Sequence, residues 1–257
     1  MARIFITGSA DGLGKMAAQL LIAQGHHVVL HARNEARAKE AIQALPGAEA
    51  ALVGDLSSIK ENILLAERVN ALGEFDAVIH NAAMGYRESK KTFTAEGLQQ
   101  LFMTNSLSPY ILTCLVKKPE RVVYTSSALH RQGDPSLNDL NWVERPWNGL
   151  NAYSDSKLHN LILSLAVARK WQAVFSNAVE PGWVATKMGG PAATDSLSEG
   201  PKSQAWLAAS QDEEVRVTGH YFYHQEQKAF NPVAANIELQ EKFLSECERL
   251  CGIGFPN

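Results

Sequence analysis

Cysteine is scarce, net charge is slight and no apolar run is long. The 257-residue sequence holds 3 cysteines, Cys114, Cys247 and Cys251. Three thiols build no disulfide framework, and no histidines stand near them at zinc spacing, so they read as reduced packing residues. A formal net charge of −3 offers no basic face to nucleic acid or to an anionic membrane. The longest apolar stretch, around Leu161 to Ala168, falls well short of the roughly 20 residues a membrane-spanning helix needs. The apolar Ile4-Phe5-Ile6 begins too close to Met1 to leave room for a signal peptide. These shortages predict a cytoplasmic protein with neither membrane insertion nor a nucleic-acid partner. At 46% apolar and 20% charged residues the composition is that of a globular chain, and residues 1–257 are expected to form one domain.

Short β-branched runs alternate with helical patterns. Ile4 to Thr7 precedes Leu13 to Gln24, His27 to Leu30 precedes Asn34 to Leu45, and Ala50 to Val53 precedes Ile59 to Leu72. Phe75 to His80 is the next strand, Thr94 to Leu115 covers one or two helices, and Arg121 to Thr125 leads into Ser126-Ser127. Asn151 to Trp171 reads as a long helix, Val174 to Val179 as a strand, Ser196 to Ala209 as a helix and Thr218 to Phe222 as the last strand. Such repetition predicts an α/β fold: a doubly wound parallel sheet of about seven strands with helices on both faces. Right-handed crossovers then gather the ligand site at the carboxyl ends of the strands.

The first strand runs into Thr7-Gly8-Ser9-Ala10-Asp11-Gly12-Leu13-Gly14 and then a helix. Glycines at that turn let backbone lie against a pyrophosphate, and the helix amino terminus offers unpaired N–H groups and a positive dipole end. Asp11 reads as the helix N-cap. After the second strand an NAD-binding fold usually offers a carboxylate to the ribose, whereas this chain has Leu30-His31-Ala32-Arg33-Asn34. Arg33, with Arg37 one turn on, suits a 2′-phosphate instead, so NADP(H) is preferred over NAD(H). Asp55, closing the third strand, is read both as an acceptor for the adenine amino group and as a cap of the following helix.

Tyr153 and Lys157, four apart in a helical pattern, project from one face about 6 Å apart along the axis. An adjacent ammonium favours the phenolate, which is expected to lower the tyrosine pKa and make it a usable acid or base. With Ser127 at the end of an apolar run, a hydroxyl, a phenol and an ammonium converge beside a dinucleotide.

In its glycine loop, Asp55, Asn81-Ala82-Ala83, Asn105, Ser127, Tyr153 with Lys157, and Pro181-Gly182-Trp183-Val184-Ala185-Thr186, the chain resembles the short-chain dehydrogenase/reductase family, in its compact single-domain Rossmann branch. Ser126-Ser127-Ala128-Leu129-His130 and Asp139-Leu140-Asn141-Trp142 look most like retinol-dehydrogenase-like and WW-domain-oxidoreductase-like members. The resemblance implies that Ser127 orients the substrate oxygen, Tyr153 passes the proton, Lys157 holds the nicotinamide ribose and tunes Tyr153, and Asn105 positions a relay water. Ser126 is the rival for the serine role. A cofactor lining of Gly8, Ser9, Gly12, Leu13, Gly14, Arg33, Arg37, Asp55, Leu56, Asn81, Ala82, Tyr153, Lys157, Pro181, Gly182, Val184 and Thr186 is likewise implied. Asn81 would support the adenine-ribose side, and Pro181, Val184 and Thr186 would fix the nicotinamide carboxamide.

Two departures from the family pattern bear on the substrate and the assembly. Residues 128 to 152, with Trp142 and Trp147, form a long insertion beside the pocket, and the segment from Asn105 to Arg121 is short, with Pro119 ending its helix early. The shortened helix suggests a monomer. A lid is expected around residues 187–210, rich in Gly, Pro, Ala and Ser between Lys187 and Gly200. Trp142, Trp147, Trp183 and Met188 suit an apolar carbonyl or alcohol, while His130 and His159 read as surface or packing residues. The activity implied is NADP(H)-dependent interconversion of a carbonyl and an alcohol. Its main rival is a catalytically silent NADP(H)-binding regulatory protein of the same fold. A serine hydrolase lacks its G-x-S-x-G elbow, and a sugar-nucleotide epimerase would space the glycines differently.

Overall fold

The computed structural model describes residues 1–256. One eight-stranded sheet runs in the order β3-β2-β1-β4-β5-β6-β7-β8. Its strands are β1 (Arg3–Ile6), β2 (His27–Ala32), β3 (Ala50–Val53), β4 (Ala77–His80), β5 (Arg121–Thr125), β6 (Phe175–Glu180), β7 (Tyr221–Tyr223) and β8 (Glu226–Gln227). The first seven pair in parallel and β8 turns back antiparallel on β7. The chain builds outward from β1 in both directions, which opens a crevice at the carboxyl ends of β1 and β4.

The helices are α1 (Gly12–Ala23), α2 (Glu35–Ala44), α3 (Ile59–Ala71), α4 (Gln100–Phe102), α5 (Ser108–Leu115), α6 (Gly149–Lys170), α7 (Lys202–Ala209) and α8 (Ile237–Cys251). Successive strand residues face opposite sides of the sheet. Ile4, Ile6, Leu30, Ile79, Val123 and Val179 pack with Ala18 and Leu21 of α1 and with Ala205 and Ala208 of α7. Phe5, Val29 and Val78 meet Leu65 and Val69 of α3. Val122, Tyr124, Ala178 and Tyr221 meet α5, α6 and α8. Burial on both faces explains the near-continuous apolar strands.

The expected seven strands are eight. The extra one follows a two-residue turn in which His224 and Gln225 both take positive φ (50° and 62°), the conformation a tight hairpin demands, without the Asn or Gly that usually announces it. Beyond the last expected strand lies α8, capped by Asn236, ended by left-handed Gly252, and burying Leu239, Phe243, Leu244 and Cys247. The expected helix from Ser196 begins only at Lys202, and α7 belongs to the core layer beside α1. Of the expected lid span 187–210, residues 187 to 201 form an irregular strap and the rest is mostly α7. No helix among the described residues is long and apolar enough to cross a membrane.

His31, His80 and His159 lie inside the core, as does His130 at 0% exposure, so none of these is a surface residue. His159 stacks on Phe243 and shares a hydrogen bond with Ser106 Oγ (3.0 Å). Desolvation lowers His31 to about 4 and His80 and His159 to about 3. The unfolded chain takes up these protons near 6.5 and the folded one only far lower. The stability they contribute is thus whole above about pH 6.5 and is lost as pH falls toward 4. Urea midpoints should be lower at about pH 5 than at about pH 7.5, before most carboxylates titrate. Equal midpoints would contradict neutral burial of the three imidazoles.

Candidate active site

The glycine loop is tied to its neighbours before any ligand arrives. Ser9 Oγ donates to Ile6 O (2.8 Å) and accepts from His31 N (2.8 Å), so this buried side chain staples the loop to β2 and does not face the crevice. His31 Nδ1 accepts from Gly8 N (2.9 Å), and Nε2 then donates to Gly54 O (2.9 Å), which fixes the neutral tautomer. Asn81 Nδ2 donates to Thr7 O (3.0 Å) and Gly8 O (3.3 Å), holding the loop from the β4 side. A Cβ on Gly14 would stand 2.4 Å from Asn81 Nδ2, and one on Gly8 2.8 Å from Ala82. A Cβ on Gly12, at φ +54°, would meet nothing within 4 Å. Open space above the start of α1, walled by tightly packed glycines, is the cradle a pyrophosphate requires.

Asp11 caps α1, its Oδ1 accepting from Gly12 N (2.8 Å). Its Oδ2 pairs with the Lys187 ammonium and with Arg37 Nη2 (3.3 Å). Lys187 above all, then Gly12 N–H and Arg37, holds this carboxyl down at about 2 against its partial burial. Two cations around one carboxylate leave the mouth of the crevice cationic. Arg33 is exposed and has no side-chain partner among the described residues. Asp55 does not cap α3, because Ser58 does. Its Oδ1 instead accepts from Ser57 N (2.9 Å) and Ser57 Oγ (2.7 Å). Leu56 turns its side chain into the core beside Phe5 and Leu65. The open cradle and the unpaired guanidinium both fit a phosphorylated dinucleotide.

Ser127, Tyr153 and Lys157 come together where β5 ends under α6. The Lys157 ammonium, at 1% exposure, donates to Thr125 O (3.0 Å) and lies 5.2 Å from the centre of the Tyr153 ring. Burial alone lowers Lys157 to about 7. Burial also pushes the Tyr153 phenol above its ordinary value, Tyr86 and Glu180 add to the rise, and a hydrogen bond with the Ser127 side chain opposes it. The expected lowering by Lys157 is thus overturned in this state: burial sets the direction of the shift. Ser126 Oγ donates instead to Lys157 O (2.9 Å), which makes it a strand-end staple and leaves Ser127 as the hydroxyl facing Tyr153.

Asn105 lies in a π turn, Met103–Leu107, that joins α4 to α5 and widens the helix locally. Its Oδ1 accepts from Met84 N (2.7 Å), and Nδ2 donates to Met84 O (3.0 Å) and Ser156 Oγ (3.1 Å). The side chain thereby holds the segment after β4 beside α6. Sequence reasoning missed Asn160, whose Nδ2 shares Thr125 O with Lys157 (3.1 Å), and Tyr86, which meets Tyr153 edge to face at 5.7 Å. Main-chain acceptors and long-range ring contacts leave no motif, although a polar residue three after Lys157 on the same helix is a readable hint.

The strap closes over this group. Gly189 O accepts from Trp183 Nε1 (3.1 Å), Arg87 Nη2 (3.2 Å) and Tyr86 OH (3.3 Å), while Lys187 ties the strap to Asp11. Val184 is buried and sits beside Gly200, whose added Cβ would come within 2.7 Å of Leu13 Cδ2. Gly182, at φ +86°, abuts Asp195, and Thr186 Oγ1 accepts from Gly189 N (3.2 Å) at the base of the strap. Trp142, Trp147, Met84 and Met188 cluster with Tyr153, whereas Trp183 is 43% exposed. A surface cavity of about 360 Å³ between α1 and α7, around Leu20, Lys202 and Trp206, lies away from these groups.

A parallel sheet of this order, with a glycine cradle at the switch between β1 and β4, defines a dinucleotide-binding α/β protein. Residues 2–137 match the family model described as short chain dehydrogenase. The chain belongs to the short-chain dehydrogenase family. It is 44% identical to an uncharacterized oxidoreductase of Emericella nidulans, over 100% of this chain and 99% of the relative. Human retinol dehydrogenase 13 is 27% identical, over 99% of this chain and 86% of that protein. A crystal structure of an uncharacterized protein from Mycobacterium paratuberculosis superposes with a TM-score of 0.85 at 24% identity, covering 100% of this chain and 96% of that one, which speaks to fold alone.

Lys157 is a buried cation with one recorded acceptor, so an isosteric apolar side chain should relieve strain. Lys157→Met is expected to raise the stability of the ligand-free protein by about 1–3 kcal/mol in urea denaturation at neutral pH. A loss of stability would contradict the reading of Lys157 as an unsatisfied charge.

Proposed function

We propose that this protein is an NADP(H)-dependent oxidoreductase that interconverts a carbonyl and an alcohol by hydride transfer on a hydrophobic small molecule, with Tyr153 as acid/base. The observation that carries this is the convergence of Ser127, Tyr153 and a buried Lys157 beside the open glycine cradle.

The N–H groups at the start of α1 receive the pyrophosphate, and Arg33 receives the 2′-phosphate with a guanidinium that has no partner among the described residues. Arg37 is a weaker second donor, since Asp11 already engages it. Asp55 Oδ2 has no hydrogen-bond partner among the described residues and is offered to the adenine amino group. Pro181, Gly182, Val184 and Thr186 border the nicotinamide end. When bound, the nicotinamide supplies or accepts the hydride.

Ser127 and Tyr153 hydroxyls both aim at the oxygen that gains negative charge. Tyr153 keeps its proton at neutral pH because of its burial, which poises it as a donor in the reducing direction. Lys157 holds the nicotinamide ribose, and each acceptor it gains favours its charged form and eases proton loss from Tyr153. Asn105 keeps the wall after β4 in register with α6 and positions a relay water. The strap excludes bulk water, and Trp142, Trp147 and Met188 offer an apolar wall. A cytoplasmic location and a monomeric state complete this reading, the latter because α5 spans only 8 residues.

A panel of apolar ketones with NADPH, followed by loss of nicotinamide absorbance, tests the proposal. Tyr153→Phe should lower kcat by about 10²–10⁴-fold while leaving NADPH affinity nearly intact. Arg33→Ala should weaken NADPH by roughly tenfold or more and NADH far less. Tight NADPH binding without reduction of any ketone, and without alcohol oxidation by NADP⁺, would favour the silent regulatory protein. Equal losses for the two cofactors would overturn the 2′-phosphate assignment.

A further inference from the structure

The residue before Pro181 is an acid, Glu180, and it closes β6 at the site. Side chains alternate along β6: Val179 packs under α1 and α7, whereas Ala178 faces α6. Glu180 therefore faces α6, the side from which Tyr153 and Lys157 descend. Across the sheet, Ser126 N donates to Val179 O (2.8 Å), so the ladder carries the Ser126-Ser127 turn alongside Glu180. On the other flank β7 sends two phenols to the same face. Tyr221, opposite Ala178, donates from OH to Glu180 Oε2 at 2.6 Å, and Tyr223, opposite Glu180, donates to Asp195 Oδ2 at 3.4 Å.

The two carboxylates differ in what is left over. Asp195 Oδ2 also accepts from Trp183 N (2.6 Å) and stands under Gly182, so its work is to set the loop after β6. Glu180 is half-buried, and its Oε1 accepts no hydrogen bond among the described residues. Tyr221 is itself locked, at 2% exposure, with its ring edge to face against His130 at 4.9 Å. His130 in turn donates from Nδ1 to Ser127 O (2.7 Å), and its Nε2 accepts from Asn231 N (3.1 Å). A chain of fixed groups thus runs from Ser127 through His130 and Tyr221 to one carboxylate oxygen. Glu180 also acts on Tyr153 through space, its negative charge helping to raise the phenol.

A half-buried carboxylate beside a phenol that must release a proton is an electrostatic burden unless something else uses it. We propose that Glu180 is a substrate-recognition residue, whose Oε1 accepts a hydrogen bond from a hydroxyl or ammonium group that the substrate carries next to its reacting carbonyl. The inference rests on the hydride-transfer reading for the identity of the ligand as a carbonyl compound, and it narrows the substrate from a plain apolar ketone to one with a hydrogen-bond donor beside the carbonyl. Tyr221 is the positioning residue that fixes Oε2 and so aims Oε1.

The test is made by binding, so that it does not depend on turnover. In the Tyr153→Phe protein saturated with NADPH, dissociation constants are measured by calorimetry or ligand-observed NMR for acetophenone and for its α-hydroxy and α-ammonium derivatives. With Glu180 present, at least one derivative should bind roughly tenfold or more tightly than acetophenone, the preference expected of a hydrogen bond to a charged acceptor. Adding Glu180→Leu should erase that preference and Glu180→Gln should reduce it. Tyr221→Phe, which keeps the ring and its packing, should weaken it partway. No preference with Glu180 present, or the same preference in the Glu180→Leu protein, would overturn the proposal. Failure of ketone reduction by the unmodified enzyme is a separate result that counts against the hydride-transfer reading and leaves the binding ratio intact as the measure of Glu180.

Discussion

A lysine ammonium held almost out of reach of water, with a single carbonyl recorded as its acceptor, is the constraint around which the site is arranged. The depression of Lys157 from 10.5 to about 7 corresponds to about 5 kcal/mol against the charged form. A hydrogen bond between a charged donor and Thr125 O returns about 1.5–3 kcal/mol. That one carbonyl leaves two of the three ammonium donors without a protein acceptor among the described residues. An ammonium with donors to spare at the carboxyl edge of the sheet can take acceptors from outside, and in the proposed function ribose hydroxyls would supply them. The same deficit links binding to chemistry: each acceptor that restores charge to Lys157 acts on Tyr153, which burial otherwise keeps protonated.

The rest of the molecule holds that arrangement still. Thr125 O is the last carbonyl of β5, in register with Val179 of β6, and Asn160 Nδ2 shares it. Asn105 and Ser156 tie the segment after β4 to α6. The strap, fastened at Gly189 O and at Lys187, packs Met188 into the cluster that holds Tyr153. On the cofactor side the glycine loop is held by His31, Ser9 and Asn81 rather than by its own sequence alone.

How much of this was legible depended on whether a residue acts through local spacing or through a distant partner. Gly8, Gly12 and Gly14 stood out because positive φ and close packing are backbone demands that only glycine meets. Tyr153 and Lys157 stood out because a four-residue step on a helix forces them together. Their electrostatics did not follow: proximity argued for a lowered phenol, and burial, which one sequence does not display, set the opposite direction. His31 drew no role of its own from the stretch after the second strand, yet its ring receives Gly8 N–H from 23 residues away. The Lys187–Asp11 tie spans 176 residues and leaves no pattern. By contrast α8 was readable and went unread: Asn236 as cap, Leu239, Phe243 and Cys247 at four-residue steps, and Gly252 as stop are ordinary helix signals.

The most direct test of the central claim is the titration of Lys157 itself, followed by NMR of its side-chain ε-carbon or Nζ in the ligand-free protein, with Lys157→Met providing the assignment. The account predicts a midpoint near 7, set by burial, that moves upward when the protein is saturated with NADPH. A midpoint close to the ordinary lysine value of about 10.4, unchanged by the cofactor, would contradict it.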